Sequence, residues 1–179
     1  YHASQAASAG SAPASCENGC APVGYGSDRR QWLVGGGGVV YRSGMYRTGL
    51  GYDSHRFEAG RAMVLGGVEI PGELGLAGHS DADAVLHAIT DAVLGAVGGG
   101  DIGELFPDSD PAYADADSAV FVSAAVAKAA AGGWRVAHCD VTVLAEVPRL
   151  GPHKPAMRAR IAELLALVAS EVSVKAKTN

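Results

Sequence analysis

The fold is decided by a stretch that opens with RTGLGYDSHRF (residues 47–57) and closes with GHSDADAVLH (residues 78–87). Asp53 and His55 stand two residues apart, so on an extended strand both side chains leave the same face. His87 lies in a helical pattern, and the residues between the two blocks have the pattern of a hairpin that would bring the helix to the strand. We therefore predict that Asp53, His55 and His87 converge at one site.

These three side chains form an oxygen and nitrogen ligand set. One carboxylate and two imidazoles suit zinc or a similar transition metal, whereas magnesium and calcium prefer shells made entirely of oxygen. Three protein ligands leave a tetrahedral metal one open position, which is typical of a catalytic site. The spacing alone leaves an alternative open, because an Asp-x-His pair is common and a lone helical histidine is more often a hydrogen-bonded partner than a ligand.

The composition indicates one globular domain with a hydrophobic core, in a chain of 179 residues that is 48% hydrophobic and 18% charged. No apolar run approaches the roughly 18 residues that a membrane span needs, so no membrane is expected. The net charge is −5 and the lysines and arginines form no stripe, which argues against nucleic acid as a partner. Of the three cysteines, two lie before residue 45; they make no disulfide framework, and a reducing compartment fits.

Residues 1–45 differ from the rest and are predicted to be a low-complexity leader in front of a single domain, residues 46–179. The leader is rich in Ala, Ser and Gly, and its three arginines outnumber its two acids. One interpretation is a transit peptide, which would place the protein in the plastid stroma. The other is a disordered extension of a protein of the bacterial cytoplasm. No second pair follows Cys16 and Cys20, so we interpret this pair as incidental rather than as a metal site.

Apolar periodicity predicts four strands and three helices in mixed order. The strands are expected at residues 45–53, 62–70, 134–147 and 171–178, and the helices at 81–97, 118–131 and 155–169. The last helix is expected to bury Met157, Ile161, Leu164, Leu165 and Val168. This order predicts an α/β (α+β) fold in a single domain, with a mixed four-stranded sheet and helices on one face. The other face of the sheet must be covered, which self-association would do.

The polar residues of the first helix and of the loop after it admit two interpretations. The Ser-Asp pair at residues 80–81 is expected to cap the helix, while Asp83, His87 and Asp91 form a stripe along one side. An ordinary solvated face is the alternative to a functional stripe. Residues 101–111 carry two prolines and several acids, and by themselves predict a surface connection. The second helix is rich in alanine, as close packing against a sheet would require.

Six blocks, in register over about three-quarters of the chain, resemble the 2-C-methyl-D-erythritol 2,4-cyclodiphosphate synthase family. The blocks are RTGLGYDSHRF, LGGVEIP, GLAGHSDADAVLHAITDAVLGA, GDIGELFPDSDP, DVTVLAEVPRLGPHKPAMR and VSVKAKTN. The resemblance implies a phosphorus–oxygen lyase of non-mevalonate isoprenoid and terpenoid biosynthesis. Such an enzyme converts 4-diphosphocytidyl-2-C-methyl-D-erythritol 2-phosphate to the cyclic diphosphate and CMP. The substrate's own 2-phosphate would be the nucleophile, so the chain needs no nucleophilic serine or cysteine.

The resemblance also implies roles for individual residues. Asp53, His55 and His87 would bind zinc, and His79 and Thr178 would act at the phosphates as catalytic residues. The substrate-binding residues would be Asp53, His55, His79 and Ser80 near the phosphates; Asp101, Ile102, Gly103, Phe106, Pro107, Asp108, Ser109 and Asp110 at the ribose and erythritol; Ala145, Glu146, Val147, Pro148, Arg149, Leu150 and Gly151 at the cytosine; and Lys177, Thr178 and Asn179 at the diphosphate. The cytosine residues would come from a neighbouring subunit.

The family further implies a second divalent ion, magnesium or manganese, that binds with the substrate, and a homotrimer whose subunits share each site. Its members continue past the position of Asn179 with a glutamate that helps to bind this ion, so we expect the chain as written to be truncated at its C-terminus. Two other functions stay open. One is a zinc-dependent phosphoesterase that activates water, supported only by the stripe of Asp83 and Asp91. The other is an inactive, truncated metal-binding subunit.

Overall fold

The computed structural model describes residues 45–72, 74–107 and 109–178, and the backbone of two short strands before them. The contacts within the chain divide it into two units, Tyr1–Ser43 and Gly44–Asn179. In the first unit the structure describes an antiparallel pair, β1 (Leu33–Gly35) and β2 (Val39–Tyr41). The predicted leader lies largely outside the described residues, as do Cys16 and Cys20.

The second unit mixes short strands with helices, which confirms the predicted mixed α/β class. Its strands are β3 (Phe57–Ala59), β4 (Met63–Leu65), β5 (Val68–Ile70), β6 (Leu74–Leu76), β7 (Cys139–Leu144) and β8 (Val172–Lys177). Its helices are α1 (Ala84–Val97), α2 (Ile102–Leu105), α3 (Ala119–Ala131) and α4 (Lys154–Leu164). Short 3-10 turns lie at Pro111–Tyr113, Gly151–His153 and Ala169–Glu171.

The described strands pair in twos, so the predicted four-stranded sheet is wrong. β3 pairs with β6 and β4 with β5, both antiparallel, and β7 pairs with β8 in parallel across the crossover through α4. The strand predicted at 62–70 is two strands, because Gly66 and Gly67 adopt left-handed φ values of 62° and 71° and reverse the chain between them. The strand predicted at 134–147 begins only at Cys139, where its pairing with Val172 starts.

The strand predicted at residues 45–53 is also wrong, because this segment lies against helix α1 and joins no sheet. A Cβ atom added at Gly49 or at Gly51 would stand 1.8 Å from a backbone carbonyl oxygen of the helix. The two glycines therefore allow a backbone approach that no other residue could match. This contact places Asp53 and His55 beside the helix that carries the third predicted ligand.

Helix α1 begins three residues later than predicted because Asp83, not the Ser-Asp pair before it, is the cap. The Asp83 side chain accepts hydrogen bonds from the backbone N–H groups of Val85 and Leu86. Asp83 is fully buried, so the solvated-face interpretation is wrong for this member of the stripe. The helix ends at Gly98, whose φ of 68° is the left-handed conformation common after a helix.

Helix α4 ends at Leu164, five residues before the predicted end. Ala166 follows with a φ of 54°, a left-handed conformation that no α-helix can continue through. Val168 is therefore 61% exposed and the prediction that it is buried is wrong, whereas Met157 and Ile161 are buried as predicted.

The core lies where α1 packs on α3 and where α4 packs on β8. Helix α3 packs chiefly against α1 rather than against a sheet as predicted, and its buried Ala125 and Ala129 permit the close approach. The long apolar side chains of α1, among them Leu86 and Leu94, are fully buried. None of the helices in the described residues is long and apolar enough to cross a membrane.

Candidate metal centre

Asp53, His55 and His87 bring three ligand atoms to one point, as the sequence predicted. The Oδ2 atom of Asp53 lies 2.8 Å from Nε2 of His55 and 3.0 Å from Nδ1 of His87. The two nitrogens are 3.2 Å apart. The side chains of the carboxylate and of the two imidazoles are 27%, 17% and 13% exposed, so the cluster is sheltered and still open to solvent.

The geometry of the cluster fits a tetrahedral metal ion. With ligand bonds of roughly 2.0–2.1 Å, neighbouring donors around tetrahedral zinc stand roughly 3.3 Å apart. The three observed separations run from 2.8 to 3.2 Å, so the ligands would need to spread only slightly. Three protein donors leave the fourth position open to a ligand from outside the chain.

The ring of His55 is oriented by the backbone that follows β6. Its Nδ1 lies 2.7 Å from the carbonyl oxygen of Ala77, which can only accept. Nδ1 therefore carries the ring hydrogen, and Nε2 presents its lone pair to the cluster. The backbone N–H of Ala77 donates in turn to the carbonyl of Arg56, so the pairing of β3 with β6 fixes this orientation.

The ring of His87 is oriented by the side chains of two serines, one just before α3 and one in the loop before α1. Its Nε2 lies 2.9 Å from Oγ of Ser118 and 3.1 Å from Oγ of Ser80. Both serines are buried. Ser118 donates its hydroxyl hydrogen and its backbone N–H to the carboxylate of Asp81. The ring of Phe121 stands 5.9 Å from the imidazole and supplies an apolar wall.

The surroundings of Asp53 favour its charged form. Burial raises the pKa of the Asp53 carboxyl, but the hydrogen bond from His87 and the positive charges of both histidines, when their rings are protonated, outweigh burial and lower the pKa below its ordinary value. The deprotonated carboxylate is the form that binds a metal ion.

A second carboxylate, Asp83, ties the β4–β5 hairpin to the start of α1. It accepts hydrogen bonds from the N–H groups of Gly66 at 2.9 Å and Gly67 at 2.6 Å, besides the two from the helix. Burial raises the pKa of Asp83 to about 6, although the backbone donors act in the opposite direction. Because four backbone donors occupy this carboxylate, it fixes the helix that carries His87 and is not available as a metal ligand.

The loop that carries His79 is held by Arg61. The guanidinium donates to the carbonyl oxygens of Gly78 and Ser80, in both cases at 2.6 Å. The loop lies against the cluster, since a Cβ atom at Gly78 would stand 3.2 Å from Cε1 of His55. The side chain of His79 itself is exposed, so this loop presents an imidazole to solvent beside the candidate metal centre.

The loop predicted to hold ribose and erythritol is built on α2. Asp101 caps this helix, and the backbone N–H of Ile102 donates to Asp91 of α1 at 2.8 Å. The ring of Phe106 packs 4.7 Å from that of Phe121, which also faces His87. Of the other predicted residues, Gly103, Pro107 and Ser109 are exposed, Asp110 caps the 3-10 turn, and Asp108 lies outside the described residues.

The turn predicted to bind cytosine, residues 145–151, follows β7. The backbone N–H of Ala145 donates to the carbonyl of Lys177 at 3.0 Å, and the buried Leu150 anchors the turn while Arg149 is exposed. Within the described residues, no hydrogen bond or ion pair joins this turn, Lys177 or Thr178 to the metal cluster. Asn179 lies outside the described residues.

From the sequence, we predicted no contact at the site for Ser118, Asp81 or Arg61. Ser118 stands 37 residues from its partner Asp81, and Arg61 stands 17 and 19 residues from the carbonyls that it contacts. Contacts across such distances leave no periodic pattern in the chain. The nearest signal in the sequence is the acids just before Ser118, which are typical of the start of a helix and do not indicate a site contact.

Fold and site together define the class of protein, a mixed α/β enzyme domain with a candidate catalytic metal centre. The particular family follows from comparison with known proteins. Residues 46–179 match the model of the YgbB family. The chain is 54% identical over 135 residues to the 2-C-methyl-D-erythritol 2,4-cyclodiphosphate synthase of Gemmatimonas aurantiaca, an alignment that covers 75% of this chain and 81% of that relative. The chain therefore belongs to the YgbB family.

Two further relatives agree with this assignment. The chain is 54% identical over 135 residues to the 2-C-methyl-D-erythritol 2,4-cyclodiphosphate synthase of Halalkalibacterium halodurans, covering 75% of this chain and 86% of the relative. A solved structure of a synthase of the same name, in a form with bound CDP, matches with a TM-score of 0.71 and 41% identity, over 74% of this chain and 89% of that one. The resemblance predicted from the six sequence blocks is confirmed.

Proposed function

We propose that the chain converts 4-diphosphocytidyl-2-C-methyl-D-erythritol 2-phosphate to 2-C-methyl-D-erythritol 2,4-cyclodiphosphate with release of CMP. This is the synthase activity for which its relatives are named, and it makes a precursor of isoprenoids by the non-mevalonate route. The observation that carries the proposal is the convergence of Asp53, His55 and His87 in a chain 54% identical to such synthases. Turnover of the substrate to both products, followed by phosphorus NMR, tests it.

The reaction needs no nucleophile from the protein. An oxygen of the substrate's 2-phosphate forms a bond to the β-phosphorus, and the bond from that phosphorus to the CMP oxygen breaks. The protein's contribution is to position the two phosphates and to stabilise the charge that develops on them. A bound zinc ion supplies a Lewis acid and a template for the phosphate oxygens. Asp53, His55 and His87 would hold it, and three protein ligands leave a tetrahedral ion one position open to a phosphate oxygen.

His79 is the proposed catalytic residue of the neighbouring loop. Its exposed imidazole can reach a phosphate oxygen, and Arg61 keeps the backbone on both sides of it in place. The side chain of Ser80 faces inward to His87, so a phosphate contact at that residue falls to its backbone N–H. A second divalent ion, magnesium or manganese, would bind together with the substrate and help to neutralise the charge of its phosphates.

The cytosine end of the substrate would bind at residues 145–151 of a neighbouring subunit. Across the part of the chain that the structure describes, no hydrogen bond or ion pair connects this turn, Lys177 or Thr178 to the metal cluster, which supports a site shared between subunits. Backbone groups of the turn would read the base, and a site of this kind rejects analogues that leave its polar groups unpaired. Equal binding of CMP and UMP by isothermal titration would contradict this assignment.

A homotrimer is the proposed assembly. Several large apolar side chains are exposed, as subunit interfaces require: Tyr46 at 93%, Leu50 at 92%, Tyr52 at 80% and Leu144 at 66%. Threefold symmetry would give three equivalent sites. Sedimentation at micromolar concentration tests this assembly, and a monomer that still turns over substrate would show that the site is not shared.

A zinc phosphoesterase is less well supported by the structure than by the sequence. That alternative needs Asp83 and Asp91 as ligands for further metal. Asp83 is buried beneath four backbone donors, and Asp91 accepts the backbone N–H of Ile102 at 2.8 Å. Neither side chain is among the groups that converge at the candidate metal centre, so the stripe of Asp83 and Asp91 does not favour a phosphoesterase.

A further inference from the structure

We propose that Ser118 and Asp81 are positioning residues that fix the ring of His87 for metal binding. The relay runs from Nε2 of His87 to Oγ of Ser118, at 2.9 Å, and from that hydroxyl to the carboxylate of Asp81. It joins helix α1, which carries the ligand, to Ser118, the residue immediately before α3. This inference rests on the metal role proposed above for His87, but the orientation of the ring can be measured without a metal.

Counting hydrogens fixes the direction of each bond. An ionised carboxylate can only accept, so the single hydroxyl hydrogen of Ser118 goes to Asp81. The hydroxyl oxygen is then an acceptor toward His87, and Nε2 must carry the ring hydrogen. In the neutral ring, Nδ1 then keeps its lone pair, 3.0 Å from the carboxylate of Asp53 and 3.2 Å from Nε2 of His55, and can present it to a metal ion held between the three groups.

Burial makes this relay specific. Ser118 is fully buried and Ser80 is 4% exposed, so water cannot easily replace either hydroxyl. The two hydroxyls lie 3.5 Å apart, and that of Ser80 also accepts the backbone N–H of Ala82 at 3.2 Å. Asp81 holds Ser118 by two bonds, through its hydroxyl and through its backbone N–H at 3.1 Å. Rotation of the serine away from His87 would therefore break more than one contact.

The arrangement on His87 has a counterpart on the other imidazole. The carbonyl of Ala77 fixes the ring hydrogen of His55 on Nδ1, whereas Ser118 fixes that of His87 on Nε2. The two rings are thus held in opposite tautomers, one by backbone and one by side chains. The backbone carbonyl that orients His55 cannot be removed by substitution, whereas the side chain of Ser118 that orients His87 can be, so its role can be tested.

The test measures zinc affinity of the full chain by competition with a chromophoric chelator. Ser118→Ala should weaken zinc binding by roughly 10- to 100-fold, the range typical of groups that orient a ligating histidine. Ser123→Ala is the matched control, because this serine of the same helix donates only to the carbonyl of Ala119. The control should bind zinc within about twofold of the unmodified chain. Unchanged affinity in Ser118→Ala would overturn the proposal.

A second measurement does not depend on zinc or on activity. Long-range nitrogen–proton NMR of the metal-free chain, recorded at a pH at which the imidazole of His87 is neutral, should show His87 with its hydrogen on Nε2, and a mixture of tautomers in Ser118→Ala. Should Ser118→Ala fail to fold, Asp81→Asn is the substitute, and it should shift the tautomer population in the same direction. A His87 with its hydrogen on Nδ1 in the unmodified chain would overturn the relay. If the chain binds no zinc while the tautomers behave as described, the proposed metal role fails and the relay stands.

Discussion

The Nε2 atom of His55 lies 3.2 Å from the Nδ1 atom of His87, and in the neutral rings the hydrogen bonds on the far side leave both nitrogens with a lone pair. Asp53 adds a carboxylate oxygen within 3.0 Å of each. Three acceptors facing one another repel unless a cation lies between them. The cluster is therefore built to hold a positive charge, and a metal ion is the one that its geometry fits.

Removal of one ligand should remove the metal. His87→Ala is expected to lose most of the one zinc ion per chain, because two donors hold zinc far more weakly than three. Metal analysis after gel filtration measures the content. His138→Ala is the control, since this histidine is exposed and is not part of the cluster. Full zinc content in His87→Ala would mean that the metal binds elsewhere.

The close approach of residues 45–53 to α1 should depend on glycine. Gly51→Ala would place its Cβ atom 1.8 Å from a helix carbonyl oxygen, so we expect a loss of about 3 kcal/mol or more in the free energy of unfolding. Gly95→Ala is the matched control on α1, where nothing lies within 4 Å of the added atom. Its better helix propensity should stabilise the chain by roughly 0.5–1 kcal/mol. Urea unfolding of both variants decides, and similar stabilities would show that the segment does not lie on the helix.

Asp83 should make the stability depend on pH in a direction opposite to that of most carboxylates. Burial raises its pKa from an ordinary value of 3.8 to about 6, so the folded chain holds this proton more tightly than the unfolded chain. The contribution of Asp83 to stability is therefore fully present below about pH 4 and is lost as the pH rises through about 6, by roughly 2–3 kcal/mol.

This dependence is measured as the difference in the free energy of unfolding between the unmodified chain and Asp83→Asn, from pH 4 to pH 7. The difference should fall with rising pH and become level above about pH 6. A carboxyl carbon resonance of Asp83 that titrates below pH 4 would contradict the expectation.

Arg61 should affect catalysis without affecting the metal. Arg61→Gln removes the two hydrogen bonds that hold the backbone on either side of His79, so we expect kcat to fall about tenfold while the zinc content stays the same. Arg61→Lys should recover part of the loss, because an ammonium group can donate to one of the two carbonyls. Arg135→Gln, at an exposed position of the same charge, is the control. If Arg61→Gln had the kcat of the unmodified chain, the two hydrogen bonds from Arg61 would not position His79.

The convergence of the metal cluster could be predicted because its parts are local. The pair Asp53 and His55 and the helical His87 each lie in a recognisable pattern, and only two antiparallel strand pairs, β3 with β6 and β4 with β5, separate them. The glycines at 49 and 51 were also recognisable in the sequence, but their packing against helix α1 could not be predicted. A strand and an extended segment that lies on a helix have the same sequence pattern. The pairing of the strands could not be predicted either, because a short apolar run does not specify which other strand it pairs with.

Buried polar contacts were the least predictable part of the site. Asp83 has the sequence pattern of a solvated helix face, yet it is buried because the β4–β5 hairpin brings two backbone donors to it. Ser118 has the pattern of an ordinary helix start, and only the packing of α3 on α1 gives its hydroxyl a histidine to hold. In both cases the residue's partner is chosen by tertiary packing, which the local sequence does not encode.

One measurement tests the central claim most directly: turnover of 4-diphosphocytidyl-2-C-methyl-D-erythritol 2-phosphate by the zinc-loaded chain in water enriched in oxygen-18. Cyclisation uses an oxygen of the substrate as nucleophile and consumes no water. We therefore predict CMP and cyclic diphosphate in equal amounts, with no oxygen-18 in either. Release of CMP together with an uncyclised phosphate product that carries oxygen-18 would show a metal-dependent hydrolase and contradict the account.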